Sequence, residues 1–325
     1  MKIPLFLLLS VINNYYLVNH FAIFFERLNL QKVFKKLSTC CSEQKNLLNL
    51  QLSTLSCLGR GNLRIRITSK YYMKLGEVME LKENERIDDL QCKGLKIIQN
   101  KKEFCFGIDA VLLSDFAKKT KKNAKIIDLC TGTGIIAILL TAKAKASKII
   151  GVEIQEHIAE MATRSVRLNH LDEKVEIINE DLMELKRIIP AGTIDTVTVN
   201  PPYKPKNSGI INEKDSKTIA RHEISCTLED IIKESARLLN TGGNLCLVHK
   251  VERMTDIFVL LRKYKLEPKR MRLVYSKVGE PATLILIEGV KGGKPFLKLE
   301  TPIYVYEKNN QYTNQVKEIY GMNDK

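Results

Sequence analysis

The segment Lys125-Ile-Ile-Asp-Leu-Cys-Thr-Gly-Thr-Gly-Ile-Ile-Ala137 decides the fold class. Its apolar start predicts a strand, its glycines predict a turn, and its apolar end predicts a helix. Glycine lets the backbone turn sharply and approach a ligand closely, and the first N–H groups of the helix then face that ligand. The segment therefore predicts a ligand-binding strand–turn–helix unit in an open α/β sheet.

A second apolar run, Lys148-Ile-Ile-Gly-Val-Glu153, ends in an acid nineteen positions after Gly134. This spacing is typical of a carboxylate that binds a ribose diol. Asp128, at the end of the first strand, would repel a pyrophosphate and attract an ammonium group. S-adenosylmethionine (SAM) carries an ammonium, a sulfonium and a ribose but no phosphate. The pattern therefore favours SAM over NAD, which the glycine turn alone would also fit.

Asn200-Pro-Pro-Tyr203 follows the apolar, β-branched run 193–199, at the carboxyl end of a predicted strand, where open α/β sheets bind their ligands. The amide oxygen of Asn and the proline carbonyls are acceptors, and the tyrosine ring is a stacking surface. Such a slot suits a planar group with an NH2, such as adenine N6, guanine N2 or a glutamine amide. The structural alternative is a proline-rich turn that only ends the strand.

The order of these motifs resembles that of class I SAM-dependent methyltransferases with an amino-methylating Asn-Pro-Pro-Tyr loop. Further segments are similar to the bacterial tRNA(Val) adenine-37 N6-methyltransferases, and the similarity runs from about Asp88 to the end. These segments are Phe106-Gly-Ile-Asp-Ala-Val-Leu-Leu-Ser-Asp-Phe-Ala117, Ala220-Arg-His-Glu223, Thr301-Pro-Ile-Tyr-Val-Tyr306, Tyr312-Thr and Glu318-Ile-Tyr-Gly321.

The alternation of apolar runs after Ala124 predicts an α/β fold with a doubly wound, mostly parallel, seven-stranded sheet of the Rossmann-like class I type. The last strand is expected to be antiparallel, and the resemblance implies the order 3-2-1-4-5-7-6. Helices are predicted over 110–117, 155–170 and 227–239, and a hairpin-like cap over 85–104. The strands are predicted near 125–130, 148–154, 174–179, 194–200, 243–249, 269–276 and 282–289.

The catalytic residues are predicted to be those of the Asn-Pro-Pro-Tyr loop, namely Asn200, Pro201, Pro202 and Tyr203. The cofactor site is predicted to comprise Phe106, Asp109, Asp128, Thr131, Gly132, Gly134, Glu153, Ile154, Asp181, Leu182 and Asn200. Tyr203, Arg221 and His222 are candidate substrate contacts. Two alternatives stay open, because Asp181 could cap a helix instead, and Arg221 and His222 could form an ion-pair network with Glu223.

The eight cysteines include no Cys-x-x-Cys pair, so the sequence predicts no metal site. We expect a mechanism without metal or covalent intermediate, a tRNA substrate, a monomer, no membrane and a cytoplasmic location.

Charge separates the leading segment from the rest. Residues 1–72 hold ten Lys/Arg against two Glu and no Asp, so they carry +8 of the net +15. We interpret 1–72 as a non-native or disordered extension with Met73 or Met79 as the natural start, 73–123 as a cap with a cofactor-covering helix, and 124–325 as the methyltransferase domain. A secretory signal or membrane anchor is the alternative for the extension, which lacks a small-x-small cleavage site and a clean span.

Three other functions remain open at this point. A release-factor glutamine methyltransferase would also use Asn-Pro-Pro-Tyr but normally carries an N-terminal helical bundle. Asp128 and the Asn-Pro-Pro-Tyr loop disfavour an NAD-dependent oxidoreductase. A non-catalytic RNA-binding module would explain the positive charge but would not need the loop.

Overall fold

A computed structural model describes residues 71–74, 77–103, 105–202 and 226–322, with 71–80 described as backbone only. The contact pattern divides the chain into two units at Leu81 and Lys82. In the first unit, strands β1 (Tyr71–Lys74) and β2 (Glu77–Glu80) pair antiparallel. Otherwise the predicted extension 1–72 lies outside the described residues.

The second unit is built on a large sheet that has nine strands in the described part of the chain. The strands are β5 (Ala124–Leu129), β6 (Ala146–Glu153), β7 (Val175–Asn179), β8 (Ile194–Val199), β9 (Leu239–Lys250), β10 (Leu266–Tyr275), β11 (Ala282–Lys291), β12 (Lys298–Leu299) and β13 (Ile303–Tyr304). Their order in the sheet is β12-β10-β11-β9-β8-β5-β6-β7, and β13 also pairs with β10.

When β5 is counted as strand 1 and β11 as strand 7, the path β7-β6-β5-β8-β9-β11-β10 has the order 3-2-1-4-5-7-6. The predicted order is therefore confirmed. Strand β11 is antiparallel to both β9 and β10, as expected for the last long strand. The sequence did not predict β12 and β13, which add to the edge at β10 in parallel. Each has only two residues, too few to show a period.

Helices cover both faces of the sheet. Residues along a strand alternate between two apolar cores, so Ile126 packs with α1 and α2, whereas Ile127 packs with α4 and α5. The helices are α1 (Ile108–Phe116), α2 (Ile135–Lys143), α3 (Glu156–Leu168), α4 (Leu228–Leu238), α5 (Met254–Lys263) and α6 (Asn314–Tyr320). The Thr227 hydroxyl and the Asp230 carboxylate form a capping box at the start of α4, the helix predicted over 227–239.

The predicted cap is a hairpin of β3 (Glu85–Asp89) and β4 (Lys96–Asn100), which lies against α3. Ile98 N–H donates to the Ser165 hydroxyl at 3.0 Å. The Arg164 guanidinium bridges to Glu85 at 2.6 Å, and both side chains are nearly buried. This hairpin also fixes the chain that enters α1, close to the candidate site.

Candidate active site

The buried carboxylate of Asp128 connects the turn after β5 to the neighbouring strand β8. Asp128 lies opposite Thr198 of β8 in the parallel register. Its two oxygens accept from the hydroxyls of Thr198 and Thr131, each at 2.6 Å. Burial raises the pKa of Asp128 to about 7, although both threonine hydroxyls oppose the shift. Because the side chain is 0% exposed, it locks the turn to the sheet, and its direct contact with a ligand ammonium stays a prediction.

The glycine turn contacts Glu153, the acid that ends β6. Gly132 N–H donates to Glu153 Oε2 at 3.0 Å, and Gln155 N–H donates to Oε1 at 3.0 Å. Gly134 begins α2 with φ of 85°, and a Cβ there would touch Ala162 at 3.4 Å. The left-handed backbone conformation therefore favours glycine, whereas a Cβ would only reach ordinary contact distance.

Two further predicted cofactor segments follow strands of the sheet. Ile154 comes directly after β6, and Asp181 and Leu182 come shortly after β7. Asn179 at the end of β7 donates to the carbonyls of Glu153 and Ile154, at 2.8 and 3.1 Å. The Asp181 carboxylate accepts from Met183 N–H at 2.9 Å and begins a 3-10 helix, so the capping role considered from the sequence is present. Leu182 is buried in the core, whereas Ile154 is 42% exposed beside the turn.

Asn200 follows β8 and contacts the start of α1. Its Nδ2 donates to Asp109 Oδ2 at 3.1 Å, and Ala110 N–H donates to Asp109 Oδ1 at 3.0 Å. Pro201 is buried and Pro202 is exposed. The other predicted members of the loop and its surroundings, Tyr203, Arg221 and His222, lie outside the described residues.

Comparison with known proteins shows the kind of enzyme to which this site belongs. The family model "Methyltransferase small domain" matches residues 104–264, which hold the glycine turn, Glu153 and Asn200. The tRNA1(Val) (adenine(37)-N6)-methyltransferase of Bacteroides fragilis is 25% identical over 232 residues, 71% of this chain and 96% of the relative. The chain is a class I SAM-dependent methyltransferase.

Two further comparisons agree with this assignment. The protein of the same name from Porphyromonas gingivalis is 28% identical to the methyltransferase over 183 residues, 55% of this chain and 68% of the relative. The crystal structure of a predicted O-methyltransferase from Agrobacterium tumefaciens has a TM-score of 0.54 at 21% identity. The match covers 66% of this chain and 95% of the Agrobacterium chain, and it supports the fold.

SAM is the methyl donor of this methyltransferase, and the described residues fit it. A Cβ at Gly132 would have no atom of the described residues within 4 Å, so this part of the chain leaves room for a ligand beside the turn. The Glu153 carboxylate is buried beside it, and each of its oxygens has capacity for a further donor. An acidic cradle of this kind suits a cationic ligand with a ribose.

Cys130, inside the turn, contacts a second thiol of the methyltransferase. A hydrogen bond with Cys226, together with burial, raises the pKa of Cys130, and the same bond lowers the pKa of Cys226. The Cys130 thiol is therefore neutral, which argues against a nucleophilic role.

Among the residues that the structure describes, no group of His, Cys, Asp or Glu could hold a metal ion. Within the same ranges, no helix has both the length and the hydropathy of a membrane span.

Three polar residues that position the site were not predicted from the sequence. Thr198 holds Asp128, Asn179 holds the turn after Glu153, and Gln99 accepts from Phe106 N–H at 3.0 Å. A signal existed for Thr198, since a hydroxyl inside an apolar central strand must find a buried partner. Gln99 gave no such signal, because its partner is a backbone group seven residues along the chain.

Proposed function

We propose that the methyltransferase methylates an exocyclic amino nitrogen, namely N6 of adenine in tRNA, at position 37 of valine tRNA. The observation that carries the proposal is Asn200, which ends the strand beside the SAM turn with its amide fixed by Asp109. Two relatives named for this reaction support the choice of substrate.

The loop residues would act on the acceptor amine. Adenine N6 is a poor nucleophile, because its lone pair is conjugated with the ring. Hydrogen bonds from its NH2 to the Asn200 amide oxygen and the Pro201 carbonyl would draw the nitrogen toward tetrahedral geometry and free the lone pair. Tyr203 would stack on the base after it leaves the RNA stack. Positioning of this kind can lower a barrier by roughly 7–11 kcal/mol.

The turn residues would hold the donor. Bound SAM would supply a methyl group activated by its sulfonium, and transfer to N6 would break the methyl carbon–sulfur bond, leave S-adenosylhomocysteine and release one N6 proton to water. The Glu153 carboxylate would accept from the ribose hydroxyls, and the Gly132 and Gly134 backbone would support the methionine part. Asp181 and Leu182 would face the adenine edge of the cofactor. Phe106 and Thr131 would line the same pocket.

The test uses the full chain with methyl-labelled SAM. We expect label in bulk tRNA and in a valine tRNA transcript, recovered as N6-methyladenosine after nuclease digestion. The matched control is the same transcript with guanine at position 37, which should stay unlabelled. Label in that control would contradict position 37, and label in another nucleoside would contradict adenine N6.

A release-factor protein serves as the second acceptor in the same assay. Its labelling in place of tRNA would favour the glutamine methyltransferase that the Asn-Pro-Pro-Tyr loop also allows. Because SAM and tRNA are cytosolic, the proposed reaction belongs in the cytoplasm. We further propose that a monomer suffices, which size-exclusion chromatography with light scattering would check.

A further inference from the structure

Asp109, in the first turn of α1, is hydrogen-bonded to Asn200 of the Asn-Pro-Pro-Tyr loop. Its carboxylate lies at the start of α1, is 8% exposed, and accepts from Ala110 N–H and from Asn200 Nδ2. Asn200 is 91 residues further along the chain. The contact therefore exists only in the folded protein and depends on how α1 packs beside β8.

The Asp109 carboxylate favours one of the two orientations that the Asn200 side-chain amide can adopt. An ionised carboxylate is an acceptor only, whereas a side-chain amide has an NH2 on one side and an oxygen on the other. Rotating the Asn200 amide by 180° would bring its oxygen against Asp109 Oδ2, at the 3.1 Å now spanned by a hydrogen bond. Two acceptors at that distance repel, so the orientation with Nδ2 on Asp109 is favoured.

We propose that Asp109 is a positioning residue that sets the Asn200 amide with its oxygen toward the acceptor nitrogen. This role differs from the cofactor contact that the sequence predicts for Asp109. It rests on the proposed function, because it assumes that the Asn200 oxygen accepts from the substrate amine.

Gly107 provides the room for this carboxylate. A Cβ at position 107 would lie 2.7 Å from Asp109 Oδ1, closer than any tolerated contact. The backbone there is extended, with φ of −99°, so alanine would fit the backbone and conflict only with the carboxylate. The carboxylate is the movable end of the side chain, and Gly107→Ala would therefore displace it at little cost to stability.

The β3–β4 hairpin fixes the segment that carries both residues. Gln99, 2% exposed in β4, accepts from Phe106 N–H and donates through Nε2 to Asp88 Oδ2 at 2.7 Å. Asp88 is paired in turn with Arg86 at 2.8 Å. The entry to α1 is thus held before substrate binds, which is what positioning of a catalytic amide requires.

The test is a double-mutant cycle measured by single-turnover methyl transfer, together with SAM affinity by calorimetry. Asp109→Asn keeps the shape but removes the selection between amide orientations, so kcat should fall about 10- to 100-fold. SAM affinity and the KM for tRNA should stay within a few-fold. Gly107→Ala should also lower kcat, with an unchanged melting temperature.

In Asn200→Ala, which is itself strongly impaired, adding Asp109→Asn should have little further effect. Asp115→Asn, at the other end of α1, is the matched control and should keep wild-type turnover.

The outcomes separate this inference from the proposed function. If Asn200→Ala turns over like wild type, the proposed role of the loop fails. If Asn200→Ala is inactive but Asp109→Asn keeps wild-type kcat, or the two losses multiply in the double variant, the positioning role fails and the loop stands. A selective loss of SAM affinity in Asp109→Asn would restore the cofactor contact and overturn the inference.

Discussion

Glu153 Oε2 accepts a hydrogen bond from Gly132 N–H at 3.0 Å, although Glu153 ends β6 and Gly132 lies in the turn after β5. The contact closes the glycine turn against the acid that the nineteen-residue spacing from Gly134 points out. It forms because β5 and β6 are parallel neighbours, with Asp128 opposite Gly151, so that their carboxyl ends meet at one edge. The same carboxylate is thus available to the turn and to a ligand ribose.

Replacing Glu153 should weaken the cofactor site. A hydrogen bond to a charged acceptor is worth about 1.5–3 kcal/mol, so Glu153→Ala should lower SAM affinity roughly tenfold to a hundredfold. Calorimetric titration with SAM measures the change. Glu156→Ala, an exposed residue of α3, is the control and should bind like wild type. Unchanged affinity in Glu153→Ala would remove the ribose contact, and micromolar NAD binding would revive the oxidoreductase interpretation.

Asn200→Ala should nearly abolish methyl transfer while SAM affinity stays within a few-fold. The reason is that its amide is proposed to contact the acceptor nitrogen. Label transfer to tRNA and calorimetry on the same preparation separate the two effects. Asn309→Ala, exposed in the turn that follows Tyr306, serves as the control. Near-wild-type turnover in Asn200→Ala would take this residue out of the mechanism.

Asp128 should make stability depend on pH. Burial raises its folded pKa from the ordinary value near 4 to about 7. The folded state therefore holds the proton more tightly, and the stability this provides is complete below pH 4 and is lost as the pH rises to about 7. The unfolding free energy of the wild type, relative to Asp128→Asn, should fall by up to about 4 kcal/mol across this window. Urea unfolding at several pH values checks it, and parallel profiles for the two proteins would contradict the raised pKa.

A chain that starts at Met73 should fold and bind SAM like the full chain. No predicted site residue precedes Phe106, and residues Lys82–Lys325 form one compact unit. Thermal melting and SAM titration of both chains provide the comparison. Aggregation or lost SAM binding in the shorter chain would show that the leading segment is a genuine anchor or core element.

The sequence predicted the sheet almost completely, because its long strands carry strong local signals. Apolar β-branched runs such as Ile194–Val199 are separated by helices with clear caps, as Thr227 shows. The turn and Glu153 were predictable for the same reason, since their spacing follows from one strand–helix–strand unit.

The remaining parts of the site depend on contacts between distant segments. Asp109 was assigned to the cofactor, but its bond to Asn200 appears only when α1 packs beside β8. The full burial of Asp128 could not be predicted either, because it requires hydroxyls from both Thr131 and Thr198. Local patterns identify residues of this kind, while the tertiary structure decides which partner each one has.

The largely buried pair Arg270–Glu288 on β10 and β11 should dominate the stability of the sheet edge. Its guanidinium and carboxylate lie 2.6 Å apart, with side chains 11% and 16% exposed. Arg270 also donates to the Phe116 carbonyl at 2.7 Å and stacks on the Phe116 ring at 3.9 Å, which ties the edge to α1. Arg270→Ala leaves Glu288 buried without this partner and should cost about 3–5 kcal/mol.

The control for this prediction is the exposed pair Lys148–Glu176, where Lys148→Ala should cost less than about 1 kcal/mol. Combining Arg270→Met with Glu288→Leu should recover most of the loss, because apolar side chains of similar volume need no charged partner. Urea unfolding of the four proteins measures these differences. A loss of under about 1 kcal/mol in Arg270→Ala would show that water reaches Glu288 and that the edge is held by its apolar contacts instead.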